Sequence, residues 1–125
     1  MEGGESLPFP PPLERALLAI RAAAALDLVT VVHRRRHRRE FDGLAVRRAD
    51  VVGCLLGLNV EDYRDGPHPD HHQPEHDVWI FGPRIGGRQM YVKVAIGRER
   101  TDGPLRIVVW SFHPAKHAMP PRDPR

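Results

Sequence analysis

The chain has 125 residues, of which 19 are Lys or Arg and 16 are Asp or Glu, and its formal net charge is +3. This length suffices for one domain with a modest core, and the mild charge makes the placement of basic residues more informative than their total. The single cysteine, Cys54, excludes an intrachain disulfide, lies in an apolar segment as a small buried residue would, and favours a cytoplasmic location. The longest apolar stretch, residues 16–32, is interrupted by Arg21 and Asp27, so we expect no transmembrane segment and no membrane partner.

The composition predicts one domain flanked by two tails. Residues 1–11 end in a proline-rich segment and are expected to form a mobile tail, and residues 122–125 a short C-terminal tail. Residues 12–121 are expected to form a single domain, because no internal repeat divides them.

Two helices and a short strand are predicted in the first half of this domain. Apolar residues recur at helical spacing, opposite charged ones, from near Pro12 to near Asp27, which predicts an amphipathic helix. The β-branched run 28–32 then predicts a short strand. A second helix is predicted over residues 47–58 and is followed by another turn. We expect its apolar side chains to face the core, namely Val51, Val52, Leu55, Leu56 and Leu58.

The sharpest charge feature is the run from His33 to Arg39, with five arginines and two histidines in seven residues. Planar guanidinium groups bind phosphate in a bidentate manner, so a phosphate-contacting patch is our preferred interpretation. The alternative is a solvated loop. The arginines expected to contact phosphate are Arg34, Arg35, Arg36 and Arg38, together with Arg84 further along the chain.

Residues 64–76 are rich in proline, histidine and aspartate and are predicted to form a loop. Several side chains in this segment could bind a metal: His68, Asp70, His71, His72, Glu75 and His76. Their spacing is not that of a standard zinc motif, and no helix holds two histidines at a fixed separation. We therefore expect no physiological metal site and no cofactor.

Three β-rich runs follow, at residues 77–82, 89–96 and 105–113, and they predict a three-stranded antiparallel meander. The pair Gly86-Gly87 lies between the first two runs, as a hairpin turn requires. On the middle strand the alternation of side chains places Met90, Val92, Val94 and Ile96 on one face.

The opposite face of the meander is predicted to carry Tyr91, Lys93 and His113, with Ser111 beside His113 and with Trp110 and Phe112 pointing the other way. A phenol, an ammonium and an imidazole on adjacent strands could stabilise and deprotonate a phosphate-linked substrate. The alternative is that Tyr91 and Lys93 only decorate a solvated face.

Between about Leu13 and Pro121 the chain resembles the MqsR (motility quorum-sensing regulator) family of bacterial type II toxins, which belong with the RelE-like mRNA interferases. The resemblance depends on the order and spacing of several short motifs rather than on one specific motif. The matching segments are His33–Arg39, Gly43-Leu44, Leu58–Tyr63, Gly66-Pro67, Asp70, Trp79–Gly82, Tyr91–Lys93, Ser111–Ala115 and Met119-Pro120.

The resemblance implies an α+β, RelE-like fold, with a twisted antiparallel β-sheet and two or three helices packed on one face. It also implies metal-independent cleavage of mRNA and a cognate antitoxin partner, expected to be of the helix-turn-helix type. The ribosome is a further candidate partner.

The family's functional positions fall on Arg64, Tyr91 and His113, whereas Ile80 stands where some members carry Gln, so that role is absent or displaced here. Metal-free cleavage of RNA requires the ribose 2′-OH to attack the adjacent phosphorus, with a base, an acid and cations to assist. We expect His113 to transfer a proton, Tyr91 to orient the phosphate or act as an acid, and Lys93, Arg64 and Arg84 to supply positive charge.

Two other classes of function stay open at this point. The chain could be a catalytically degenerate module of the same fold that binds RNA or an antitoxin, which the isoleucine at position 80 favours. It could also be a metal-dependent hydrolase built on the histidine-rich loop.

Overall fold

The computed structural model describes residues 11–32, 47–98 and 105–121. The basic run 33–39, most of the first tail and the tail 122–125 lie outside the described residues. The expected RNA contacts of Arg34, Arg35, Arg36 and Arg38 therefore stay predictions.

The first helix, α1, spans Pro11–Ala25, close to the predicted bounds. It buries Leu13, Leu17 and Ile20 against the sheet. The helix ends where Asp27 adopts a positive φ of 57°, a conformation that Asp tolerates better than most residues. The backbone N–H of residue 27 then donates to the carbonyl of residue 24, and the N–H of residue 28 to that of residue 23, which satisfies two terminal carbonyls of the helix.

The second helix, α2, spans Arg48–Leu56, and the Asp50 carboxylate accepts a hydrogen bond from the Arg47 N–H (2.8 Å) just before it begins. Val51 and Leu55 are buried as expected, but the prediction for Leu56 was wrong, because this side chain is 46% exposed. Leu56 lies one residue beyond Leu55, about 100° around the helix, and so points away from the core. Neither helix in the described part of the chain is long and apolar enough to cross a membrane.

Six strands lie in the described residues: β1 (Val29–Val31), β2 (Tyr63–Pro69), β3 (Asp77–Phe81), β4 (Arg84–Ile85), β5 (Arg88–Arg98) and β6 (Leu105–Pro114). Strands β3, β5 and β6 form the predicted antiparallel meander, and the main sheet has the order β1-β6-β5-β3-β2. The fold is therefore α+β, as predicted.

The sheet is mixed rather than wholly antiparallel, which corrects one prediction. Strand β1 pairs parallel with β6, Val29 lying opposite Ile107 and Val31 opposite Val109. A short hairpin forces the two strands that it joins to be antiparallel. No such constraint acts here, because β1 precedes β6 by the whole of the intervening chain.

Residues 64–69 are not a loop as predicted but belong to β2, which follows a short 3₁₀ helix, Val60–Asp62. The strand pairs antiparallel with β3, with register shifts after Tyr63 and after Asp65. Proline has no N–H to donate and is tolerated in an edge strand or at a bulge. Since β2 is the last strand of the sheet, Pro67 and Pro69 fit there.

The glycine pair forms the turn between β4 and β5, as expected. Arg84 pairs with Gln89 and Ile85 with Arg88, which leaves Gly86 and Gly87 as the two turn residues. Their φ angles are +59° and +79°. Two consecutive positive φ angles characterise the tight hairpin turn whose twist matches that of the strands, and glycine adopts them at little cost.

Both helices pack on the same face of the sheet, which confirms that part of the prediction. Their buried residues form one cluster with Val92, Val94 and Phe112 of the strands. We call the opposite side of the sheet the outer face; it carries a smaller apolar cluster of Val78, Ala95 and Val108. Cys54 is only partly exposed, and burial, followed by the Asp62 carboxylate, raises the pKa of its thiol to about 12, as befits an unreactive cysteine.

Candidate functional site

The outer face brings together the polar residues expected to form a site. In the register of β5 and β6, Tyr91 lies opposite His113 and Lys93 lies opposite Ser111. Directly paired residues of antiparallel strands project to the same side with Cβ atoms about 5 Å apart. The four side chains therefore form a compact group on the face away from the helices.

The rings of Tyr91 and His113 are stacked, with centroids 5.2 Å apart and an interplanar angle of 19°. The imidazole Nδ1 lies 2.8 Å from the carbonyl oxygen of Pro114. Because a carbonyl can only accept, Nδ1 carries the proton in this contact, and in the neutral ring Nε2 is then the basic nitrogen. His113 is 7% exposed, so the packing around the ring fixes its orientation.

A β-bulge corrects the predicted orientation of Trp110. The register of β5 and β6 shifts between Lys93 and Val94, so that Lys93 faces Ser111 while Val94 faces Val109. The extra residue on β6 lets Trp110 and Ser111 both project to the outer face, whereas alternation alone had placed Trp110 with Phe112 in the core. Trp110 accordingly packs against the outer apolar cluster.

Ile80 lies directly opposite Lys93 on β3. It is half-buried, and it borders the polar group on the side away from His113. Position 80, where some members of the family that this chain resembles carry Gln, is therefore next to the candidate site.

Arg64 is held by the backbone. Its Nε donates to the carbonyl of Met119 (2.7 Å), and its Nη1 donates to the carbonyls of Glu61 (2.7 Å) and Tyr63 (2.8 Å). Burial lowers the pKa of this guanidinium, Asp62 raises it and Arg84 lowers it again, with a net decrease. Since arginine stays protonated in proteins, Arg64 is a fixed cation. It anchors residues 115–121, which follow β6 and which we call the C-terminal segment.

Arg84 lies on the exposed β4–β5 hairpin. Its Nη1 donates to the carbonyl of Gly87 at 2.9 Å, across the turn. It is close enough to Arg64 to affect the pKa of that guanidinium. Arg64 and Arg84 are thus two neighbouring cations, of which Arg84 is the more exposed.

Gln89 was not singled out by sequence reasoning, although it joins the strand to the C-terminal segment. Its amide nitrogen donates to the carbonyl of Met119 (3.0 Å), and its amide oxygen accepts from the Met119 N–H (3.0 Å). The amide nitrogen also lies 3.2 Å from the carbonyl of Gly82. Only its place on the face of Tyr91 and Lys93 could have drawn attention to it.

Residues 70–76, which we call the histidine-rich segment, are organised around the buried carboxylate of Asp70. Asp70 accepts hydrogen bonds from the His72 N–H (2.8 Å) and from the indole Nε1–H of Trp110 (3.0 Å). Burial raises the pKa of the Asp70 carboxyl, but hydrogen bonds from the His72 backbone, from Trp110 and from the Gln73 backbone, together with electrostatic attraction to His72, hold the pKa below its usual range. His68 pairs instead with Asp65 (3.0 Å). Among the described residues, no three metal-ligating side chains come together.

Comparisons with protein-family models, with curated proteins and with solved structures found no match for this chain. The resemblance to the MqsR family therefore depends on the order of the motifs quoted above.

Proposed function

We propose that the chain is a metal-independent endoribonuclease and the toxin of a type II toxin–antitoxin pair. The observation that carries the proposal is the stacked pair Tyr91 and His113, with Lys93 two residue pairs along the same strands and therefore on the same face. These groups are a phenol, an imidazole and an ammonium on one fixed surface. Cleavage by the ribose 2′-OH needs a base, an acid and a cation that can all reach the same phosphate.

In this mechanism the neutral imidazole of His113 acts as the base. Its Nε2 takes the proton of the 2′-OH while the 2′ oxygen attacks phosphorus, and the P–O5′ bond breaks. The hydrogen bond from Nδ1 to Pro114 strengthens as the ring becomes positive, which stabilises the imidazolium. The Tyr91 phenol protonates the leaving 5′ oxygen, and Lys93 stabilises the charge on the phosphoryl oxygens. The products are a 2′,3′-cyclic phosphate and a 5′-hydroxyl.

Arg64 has a different part in this proposal from the one that the resemblance implies. Its Nε and Nη1 groups already bind carbonyls, so we assign it to holding the C-terminal segment beside the site. Arg84, which is exposed on the hairpin, supplies positive charge for the RNA backbone.

The second candidate is a degenerate module that binds RNA or an antitoxin without cleavage. It is favoured by Ile80, which places an apolar side chain opposite Lys93 where a polar group could bind the phosphate. The mRNA substrate, the antitoxin partner and the ribosome as a further partner belong to the toxin proposal and follow from the resemblance. The cytoplasmic location, expected from the single cysteine, is part of the same proposal.

The deciding experiment incubates the purified full chain with single-stranded RNA in EDTA and identifies the fragment ends by mass spectrometry. We expect cleavage that leaves 2′,3′-cyclic phosphate ends. The matched all-deoxy oligonucleotide should stay intact, because it lacks the nucleophile. RNA that is bound but never cut would favour the degenerate module, whereas activity lost in EDTA and restored by zinc would favour the metal hydrolase.

The toxin assignment needs its own test. Expression of the parent chain in a bacterium is expected to arrest growth and deplete mRNA, and the His113→Ala variant at equal soluble level should not. Normal growth with abundant soluble parent chain would argue against a toxin.

A further inference from the structure

A pocket of about 170 Å³ opens on the outer face, at the opposite end of the sheet from the Gly86-Gly87 turn. Residues 70–76 form one wall and strand β6 another, while Thr30 and Val32, at the end of β1, complete the lining. The lining residues that matter here are Asp70, His72, His76, Arg106, Val108 and Trp110. None of them belongs to the group of Tyr91, Lys93 and His113, so the pocket has no role in the mechanism above.

Two aromatic rings form the walls of this pocket. The rings of His72 and Trp110 have centroids 5.6 Å apart and an interplanar angle of 36°. The two rings form a tilted pair in which the imidazole is exposed and the indole is half-buried, so aromatic surface borders the pocket. The Asp70 carboxylate accepts from the indole N–H, which holds the Trp110 ring, and from the backbone N–H of His72, which holds the backbone that carries the imidazole.

His76, a third lining residue, has an unusual environment. Its side chain is 4% exposed, and among the described residues its Nε2 has no hydrogen-bond partner. Gly97 of β5 makes this placement possible, because a Cβ there would overlap the imidazole ring. Because its Nε2 is enclosed next to Gly97, the buried ring forms part of the fixed wall of the pocket.

The chemistry of the pocket selects the class of ligand. Val108 gives it an apolar floor and Arg106 a cationic rim, while the hydrogen-bonded Asp70 places a negative charge inside. An anion such as phosphate is disfavoured next to that carboxylate. A flat, neutral ring with hydrogen-bonding edges fits, and its attached phosphate would lie toward Arg106.

We infer that this pocket binds one unpaired nucleobase of the RNA whose scissile phosphate lies at Tyr91 and His113. Trp110 and His113 are three residues apart on the same strand, about 10 Å at the usual rise per residue. A single strand of RNA lying along the outer face can therefore reach both the pocket and the pair Tyr91 and His113. The inference depends on the proposed function only for the path of the strand, since base binding itself requires no cleavage.

The test uses a fluorescently labelled, fully 2′-O-methylated hexanucleotide of RNA, which has no free 2′-OH to attack. Its affinity for the full chain is measured by fluorescence anisotropy. His72→Ala and Trp110→Ala should each weaken binding by at least about fivefold, because aromatic stacking contributes strongly to the affinity for each base. Trp110→Phe keeps an aromatic face and should lose clearly less. The control, Leu18→Ala, changes an exposed residue of α1 on the other side of the sheet and should bind as the parent does.

Melting temperature is measured for each variant. His72 is exposed on the loop, so His72→Ala keeps the test decisive even if Trp110→Ala unfolds. Binding by the parent that His72→Ala leaves unchanged would overturn the inference, as would absence of binding by the parent.

The failure of each proposal is distinguishable. If His72→Ala and Trp110→Ala weaken binding but the parent never cleaves unmodified RNA, the base pocket stands and the nuclease does not. If unmodified RNA is cleaved while the pocket variants bind as the parent does, the nuclease stands and the base pocket does not.

Discussion

Tyr91 and His113 stack face to face at 5.2 Å because they are a directly opposed pair in the ladder of β5 and β6. The β-bulge begins only after two further pairs, beyond Lys93, so the register at this end of the two strands is regular. The contact therefore depends on the backbone ladder and not on flexible loops. A site built on paired strands keeps its geometry better than one built on loops.

Replacing Ile80 with glutamine is expected to raise the rate of RNA cleavage severalfold. The residue lies opposite Lys93, where an amide could donate a hydrogen bond to a phosphoryl oxygen as charge develops there. The rate is measured at saturating RNA, so that a change in affinity alone does not register. Ile85→Gln, on the exposed hairpin, is the matched control, and an equal effect from both substitutions would contradict the prediction.

Gln89→Ala should lower the free energy of unfolding by about 1–3 kcal/mol, as expected when partners of part-buried hydrogen bonds are lost. The substitution removes the amide that binds both backbone groups of Met119 and leaves Arg64 as the remaining anchor. Urea denaturation measures the change. The neighbouring exposed residue provides the control, Arg88→Ala, which should change stability by less than about 0.5 kcal/mol. Equal stability of the two variants would show that the Gln89 clamp contributes nothing.

The Asp70 carboxylate should contribute stability that depends on pH. Its pKa is depressed in the folded state, so its contribution is fully present above the ordinary carboxyl pKa and is lost as pH falls through the lower folded value. Asp70→Asn should therefore be less stable than the parent at pH 7, and the difference should shrink in acid. Urea denaturation from pH 7 down to pH 3 tests this, and a constant difference across that range would contradict it.

The arginine run gives a prediction that the fold does not address, since residues 33–39 lie outside the described part of the chain. Changing Arg34, Arg35 and Arg36 to Ala removes up to three phosphate contacts. The slope of log affinity against log salt should then fall by up to about two to three units on single-stranded RNA. Measurement of affinity at several salt concentrations checks it, and an unchanged slope would assign the run to another role.

Local patterns in the sequence predicted the fold where neighbours along the chain determine the structure. The alternation over residues 89–96 identified the buried face of β5, and the two glycines identified the turn. Patterns failed where distant segments decide the outcome. The prolines of β2 indicate a loop unless the strand is known to lie at the edge of the sheet, and no local signal tells β1 to run parallel to β6.

The same division applies to the candidate site. Parity placed Tyr91, Lys93 and His113 on one face, and the register then brought Tyr91 and His113 into contact. The alternation of side chains placed Trp110 on the wrong face, because a β-bulge adds one residue to β6. The apolar residues of this strand give no local signal of the bulge. The contacts between Gln89 and Met119 join residues 30 positions apart, and such contacts are invisible until the chain is folded.

His113→Ala tests the proposed chemistry most directly. General-base catalysis contributes typically about 10²–10⁴-fold, so the variant should cleave RNA more slowly by about that factor. Because the ring is buried against Tyr91, some stability is lost as well, and melting temperature must show that the variant is folded at the assay temperature. RNA affinity should stay close to that of the parent, since the base acts mainly in the transition state.

His113→Lys should restore part of the rate, because some members of the family that this chain resembles carry Lys there. His117→Ala, an exposed histidine four residues away, is the control and should cleave as the parent does. A folded His113→Ala variant with the parent's rate would remove the imidazole from the mechanism.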